Sequence, residues 1–138
     1  CIRDRMKDKH LAENDLRQNL ILWGDPQSNA LIKKIVGHLP ISWTERGIRL
    51  KDKTWHADTF VPVLISPNPI DLRHYVVLNS GFTFSEFGHM SNSMQNAKLP
   101  DYAVLDMRVP IAERIPKGVA HAGFFGERWE LTESEGRD

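Results

Sequence analysis

The chain has 138 residues, of which 41% are hydrophobic and 26% are charged, and its 18 Lys and Arg residues balance its 18 Asp and Glu residues. This length suits one domain that buries its own core without a metal or disulfide staple, and the ordinary composition argues against a disordered chain. The charge balance gives no basic excess for binding nucleic acid, and the lack of an apolar run of about 18 residues argues against membrane insertion.

Residues 1–18 are rich in both charges and carry few large apolar side chains. This pattern predicts a charged helix or a linker from a missing upstream domain. The chain starts without Met and within this charged pattern, so we expect a fragment of a longer polypeptide. The lone cysteine, Cys1, gives no indication of the redox compartment.

The next segment predicts a strand, a turn and a helix. Residues 19–24 form an apolar run that ends in glycine, which is typical of a strand buried on both faces. Residues 25–29 are turn and helix-cap types, and the apolar residues that follow have helical spacing until Gly37 and Pro40.

The rest of the chain predicts mostly strands. The pattern of residues 41–55 indicates a hairpin or small meander, which could add antiparallel strands at one edge of a sheet, and residues 83–96 have the spacing of a helix. Pro62 favours a strand start or an unpaired edge. Further strands are predicted at residues 60–65, 74–78, 102–105 and 119–125.

Strands that alternate with helices indicate the α/β class. We therefore expect residues 19–131 to form a single domain, a small three-layer α/β sandwich of the Rossmann or flavodoxin type. In such a fold, helices flank a mostly parallel, mixed sheet. Residues 132–138 are expected to be a polar tail.

Polar residues follow several of the predicted strands. In an open α/β sheet, ligands gather at the carboxyl ends of parallel strands, where loops and helix N-termini converge. The same residue types also serve as turn and cap residues, and we favour that structural role. If the strands are parallel, the residues that share one rim and form a candidate ligand site are Asp25, Ser28, Asn29, Asn68, Asn79, Ser80 and Asp106.

Ser80, Asp106 and His121 occur in the chain order of an α/β-hydrolase triad, which makes them a candidate catalytic set. Ser80 follows a predicted strand and precedes a predicted helix, but its surroundings lack the glycine pattern of a nucleophile elbow. His121 lies inside a predicted strand rather than on a loop. We therefore assign no catalytic residue on this weak motif.

The sequence predicts no metal site and no cofactor. His56 and Asp58 form a close His–carboxylate pair, but no second cluster with ligand spacing accompanies them. After the first strand the chain has one glycine, Gly24, where a dinucleotide fingerprint needs three, and it has no P-loop.

Aromatic residues are the other chemical resource of this sequence. The chain has four tryptophans, and exposed tryptophans would mark an interface or a surface that stacks on sugars. Residues 124–129 form a compact hydrophobic motif that could dock on a neighbouring domain, although packing within the domain's own fold is favoured.

Six ordered blocks of the sequence resemble a known region. One block places Gly24, Asp25, Ser28 and Asn29 in the pattern G-[DN]-x-x-[ST]-N after a strand. The chain resembles the domain that follows the catalytic part of secreted bacterial α/β-hydrolase proteins of the prolyl-oligopeptidase-like serine peptidase or esterase type. This resemblance implies an upstream hydrolase domain that carries the catalytic triad, and export to the periplasm or the extracellular space. The blocks are residues 19–29, 39–41, 65–69, 75–81, 99–104 and 122–129.

Three functions follow from these observations. The favoured one is a non-catalytic accessory domain of a larger serine hydrolase, which packs on that hydrolase or helps it to bind substrate. The second is a binding module for a small polar ligand or a glycan at the strand-end rim. The third is a small serine hydrolase that uses Ser80, Asp106 and His121. The sequence leaves the oligomeric state open.

Overall fold

Eight strands in two sheets dominate the part of the chain that the computed structural model describes, which is residues 7, 10–80 and 99–132. The helical elements are α1 (Ala30–Ile35), the short turn α2 (Arg114–Lys117) and 3-10 turns at Asp15–Arg17 and Val36–His38. The strands are β1 (Leu20–Leu22), β2 (Ser42–Thr44), β3 (Gly47–Leu50), β4 (Lys53–His56), β5 (Phe60–Asn68), β6 (Asp71–Asn79), β7 (Tyr102–Asp106) and β8 (Val119–Gly123).

The larger sheet has five strands in the order β1-β6-β5-β7-β8. The β1–β6 pair is parallel, and the other three pairs of this sheet are antiparallel. The predicted α/β sandwich of the Rossmann or flavodoxin type is therefore wrong, because the described chain is mostly β and its sheets are not flanked by helices on both faces. Parallel neighbours need long crossover connections, whereas only Pro69 and Ile70 join β5 to β6.

The prediction of parallel strands failed because apolar runs have another cause in this protein. Runs such as residues 60–65 are typical of parallel strands that helices cover on both faces. Here one face of the five-stranded sheet packs against α1 and the smaller sheet, and part of the other face packs against α2 and the loop before it. An antiparallel sheet between these layers shows the same apolar pattern.

The structure contains the strand, turn and helix predicted for the segment after residue 19. Asn29 caps α1, since its side-chain oxygen accepts hydrogen bonds from the amides of Leu31 and Ile32 at 3.0 and 3.1 Å. β1 is an edge strand, however, and Ile21 is 56% exposed. The expected burial of this strand on both faces is therefore wrong.

Residues 41–55 fold into the predicted meander, but its strands form a separate antiparallel sheet with the order β2-β3-β4. Gly47 is required in this sheet, because a Cβ atom at this position would lie 2.5 Å from the carbonyl oxygen of Trp55. The β3–β4 connection consists of Lys51 and Asp52, and Lys51 adopts a positive φ of 52°.

Pro62 lies inside β5 rather than at its start. The Ile65 amide donates to the Asp101 carbonyl at 2.9 Å, so odd-numbered residues of β5 bond towards β7 and Pro62 faces the β6 side. On that side the pairing begins only at Val63, opposite Asn79. The backbone N–H that proline lacks would therefore have had no ladder partner.

Two apolar clusters hold the layers together. The larger cluster lies between the five-stranded sheet and the layer of α1 and β2–β4. Its fully buried side chains are Ile32, Ile35, Ile48, Val76, Leu78 and Val104. In the smaller cluster, on the other face, Val63, Ala103 and Leu105 pack against partly buried residues that include Leu99, Ile111 and Ile115.

The two ends of the chain were predicted to be outside the domain. Leu11 and Leu16, in the predicted linker of residues 1–18, pack against the larger cluster. The helix predicted at residues 83–96 and most of the predicted tail, residues 133–138, lie outside the described residues.

Candidate functional site

The turn after β1 uses its polar side chains to hold its own backbone. The Asp25 carboxylate accepts hydrogen bonds from the amides of Gln27 and Ser28, both at 2.8 Å. The Ser28 hydroxyl accepts from the Asp25 amide at 3.0 Å, and the Asn29 side chain donates to the Trp23 carbonyl at 3.1 Å while it caps α1. Three residues of the candidate ligand rim therefore act as turn and cap residues.

Asn68 lies at the opposite end of the sheet from this turn, because β5 runs antiparallel to β6 and β1 runs parallel to it. Its fully buried side chain donates to the carbonyls of Leu16 and Gln18 at 2.8 and 2.9 Å. It also accepts from the Ile70 amide at 2.9 Å. Asn68 therefore fastens the segment before β1 to the β5–β6 hairpin and does not share a rim with the other candidates.

Asn79 and Ser80 lie at the same end of the sheet as the turn after β1. The parallel β1–β6 register places Leu22 opposite Leu78, so the ends of both strands are adjacent. The Ser80 hydroxyl is buried, and the structure shows no hydrogen-bond partner for it within the described residues.

The topology separates the three residues of the candidate triad. Two strands, β5 and β7, lie between β6 and β8, so three strand spacings of about 4.8 Å put β6 and β8 about 14 Å apart. Ser80 follows β6, whereas His121 lies within β8 opposite Val104. The Asp106 carboxylate is bound by Arg108 at 2.7 Å, and this pairing lowers the pKa of Asp106. No hydrogen bond links any two of the three residues.

The described residues contain no group of three or more His, Cys, Asp or Glu side chains that could hold a metal ion. His56 and Asp58 are both exposed. Across residues 10–80 and 99–132, no helix has the length and apolar character needed to cross a membrane.

A cavity of about 40 Å³ lies where the β3–β4 turn approaches β7 and β8. We call it the lysine pocket. The sequence does not predict this pocket, because its walls come from segments that are distant in the chain. The residues that line it include Lys51, Asp52, Lys53, Tyr102, His121 and Thr132.

A continuous series of ring contacts runs past the lysine pocket. The Trp55 and His121 rings are stacked, with centroids 5.6 Å apart. The remaining contacts in the series have centroid distances from 4.9 to 6.1 Å. In spatial order the rings are Trp55, His121, Tyr102, Phe125, Trp129 and Tyr75.

The predicted hydrophobic motif forms part of a braced loop, residues 124–132, which we call the aromatic loop. Phe125 is buried and pairs with Leu131 in an isolated β-bridge. Phe124, its neighbour in sequence, is 65% exposed. The loop therefore combines a buried aromatic anchor with a large apolar side chain that faces solvent.

No family model, curated protein or solved structure was found to match this chain. The resemblance to the accessory domains of secreted hydrolases therefore stays a prediction.

Proposed function

We propose that the chain is a non-catalytic accessory domain, which packs through its aromatic loop on the hydrolase domain of the same exported polypeptide. The observation that carries this proposal is the exposure of Phe124, 65% of whose side chain faces solvent on a loop that is otherwise held in place. Aromatic side chains are enriched at protein interfaces, so an exposed phenylalanine on a braced loop is a candidate contact for a partner domain.

Five polar contacts brace the aromatic loop. At its base, the Phe125 amide donates to the Asp101 carboxylate at 3.0 Å, and the Thr132 hydroxyl donates to the Phe124 carbonyl at 3.0 Å. Within the loop, the Gly126 amide donates to the Glu130 carbonyl at 2.8 Å. The other two donors are the amides of Trp129, to the Gly126 carbonyl, and of Arg128, to the Glu130 carboxylate.

This bracing matters for binding because an ordered loop loses little conformational entropy when a partner covers it. Trp129 is a second sign that the loop is held in one conformation. It adopts a left-handed backbone conformation, with φ of 63°, which is strained for a large side chain and is held by the surrounding contacts.

The two alternative functions have less support in the geometry. The separation of Ser80 from His121 weighs against a serine hydrolase within this chain. The internal hydrogen bonds of Asp25, Ser28 and Asn29 weigh against a ligand site at the strand-end rim, because these groups already have partners.

A fluorophosphonate probe tests the catalytic alternative directly, because it labels activated serine nucleophiles. We expect no labelling of the purified chain at any serine. Labelling that disappears in Ser80→Ala would overturn the proposal, since the chain would then carry its own nucleophile.

Hydrogen exchange tests the docking itself. The protection of residues 123–132 is compared between this chain and the longest natural polypeptide that contains it, and we expect added protection in the longer protein. Phe124→Ser should remove this added protection, whereas Leu72→Ser, at a side chain that is 76% exposed on β6, should not. Equal protection in both proteins, or a natural polypeptide without a hydrolase domain, would contradict the proposal.

A further inference from the structure

The lysine pocket has the size of a small ionic group. Its volume of about 40 Å³ would hold about three water molecules, at roughly 10–15 Å³ each. A carboxylate or a phosphate group has a comparable number of heavy atoms, whereas a larger ligand would lie mostly outside. The groups that line the pocket therefore decide which ligand it prefers.

Two ammonium groups dominate the charge of the pocket. Lys51, on the β3–β4 turn, and Lys53, the first residue of β4, flank Asp52, and none of the ion pairs of the described chain involves either lysine. With a neutral imidazole at His121, two positive charges and the single negative charge of Asp52 leave the lining with an excess of one positive charge.

Tyr102 supplies a hydroxyl at the same place. Its side chain is 4% exposed and lines the pocket, and its hydroxyl is not among the fully buried side-chain atoms that lack a hydrogen-bond partner in the described chain. A Cβ atom at position 123 would lie 2.5 Å from this hydroxyl oxygen, so Gly123 makes room for it. A ligand in the pocket that accepts from this hydroxyl would gain a hydrogen bond.

We infer that the lysine pocket binds a small oxyanion, a phosphate or a carboxylate, between the ammonium groups of Lys51 and Lys53 and the hydroxyl of Tyr102. The oxyanion would be paired with two cations and would accept a hydrogen bond from the tyrosine. Such charge-assisted hydrogen bonds are the strong ones in proteins.

His121 makes the pocket sensitive to pH. Burial, together with the nearby charge of Lys53, lowers the pKa of His121 below its ordinary value of 6.5. The other ionisable groups that line the pocket are Lys51, Asp52 and Tyr102. A bound oxyanion favours the charged imidazolium, so binding should tighten as the pH falls through the range in which His121 takes up a proton.

An NMR titration tests this inference. Inorganic phosphate and, separately, acetate are added to the chain at constant ionic strength, and the imidazole resonances of His121 and of exposed His38 are followed. We expect a saturable shift and a raised pKa at His121, with no saturable change at His38. A response to phosphate alone identifies a phosphate site, and a response to both anions identifies a general oxyanion site.

Variants separate specific binding from a general salt effect. Tyr102→Phe and Lys53→Gln should each weaken binding about tenfold, as expected for a lost hydrogen bond to a charged group, while Lys33→Gln on α1 should leave it unchanged. Asp52→Asn should strengthen binding, which damage to the fold could not do. Absence of a saturable shift with either anion, or equal affinity in all variants, would overturn the inference.

Discussion

The turn after β1 and the lysine pocket both collect polar side chains, but they use them in opposite ways. In the turn, the side-chain oxygens of Asp25 and Asn29 accept hydrogen bonds from nearby backbone amides. In the pocket, neither Lys51 nor Lys53 takes part in any ion pair of the described chain. The residue types of the turn suggested a ligand site and those of the pocket did not. The oxyanion site proposed for the pocket therefore rests on charges outside ion pairs, whereas the polar residues of the turn have structural partners.

The largest loss of stability is expected at Asn68, whose fully buried side chain makes three hydrogen bonds. Asn68→Ala removes two donors and one acceptor from a fully buried site, leaving the Leu16 and Gln18 carbonyls and the Ile70 amide without them. We expect the free energy of unfolding in urea to fall by about 3 kcal/mol. Asn14→Ala is the matched control, because Asn14 is exposed and its side chain makes no cap hydrogen bond. A loss below about 1 kcal/mol at Asn68 would contradict this role.

Substitution of Asn29 in the turn after β1 should cause an intermediate loss of stability. Asn29→Ala removes the cap of α1 and the bond to the Trp23 carbonyl, so the free energy of unfolding should fall by about 1–2 kcal/mol. Asn29→Ser keeps a capping oxygen and should recover most of the loss. Oxyanion binding at the lysine pocket should be the same in both variants. A binding defect in either would show that the two regions are coupled.

Removal of the Tyr102 hydroxyl from the lysine pocket should have almost no effect on stability. Tyr102→Phe keeps the buried ring and removes only the hydroxyl that borders the pocket, so the free energy of unfolding should change by less than about 0.5 kcal/mol. The same variant should bind phosphate about tenfold more weakly. Destabilisation above about 1 kcal/mol would mean that the hydroxyl already has a structural partner, and the contrast between the two regions would be lost.

The smallest expected effect is a pH dependence of stability. The pKa of His121 is lowered in the folded chain, so the unfolded chain binds more protons between that pKa and 6.5. Stability should therefore rise with pH through this window and level off above it. Urea unfolding at several pH values measures the slope, and His121→Gln should remove it. A slope of the opposite sign would show that the folded state favours the imidazolium.

The sequence predicted the local elements of the fold better than their arrangement. The cap and helix at Asn29 follow from hydrogen bonds and spacing over a few residues, and the structure contains both. The strand at residues 60–65 was predicted too short because the following Ser, Pro and Asn residues look like a turn. In the structure β5 continues to Asn68, and Ser66 and Asn68 are buried. Local composition does not reveal that burial.

Strand direction and the lysine pocket depend on contacts between distant residues. Asn68 bonds to carbonyls about fifty positions earlier in the chain, and the pocket joins a turn at Lys51 to Tyr102 and His121. Nothing in the pattern of either segment specifies its partner. The aromatic motif at residues 124–129 was visible in the sequence, but the exposure of Phe124 beside buried Phe125 was not.

The parallel pairing of β1 with β6 has a consequence for folding kinetics. The β5–β6 hairpin closes through two residues, whereas Leu20 must find Val76 across more than fifty positions, at a much larger cost in loop-closure entropy. We therefore expect β1 to join the sheet late. Until it does, β6 presents an unpaired backbone edge that another unfolded chain could occupy. Refolding yield should then fall as the protein concentration rises. The fall should be greatest for Asn68→Ala, because this variant lacks the hydrogen bonds that hold the segment before β1 in place.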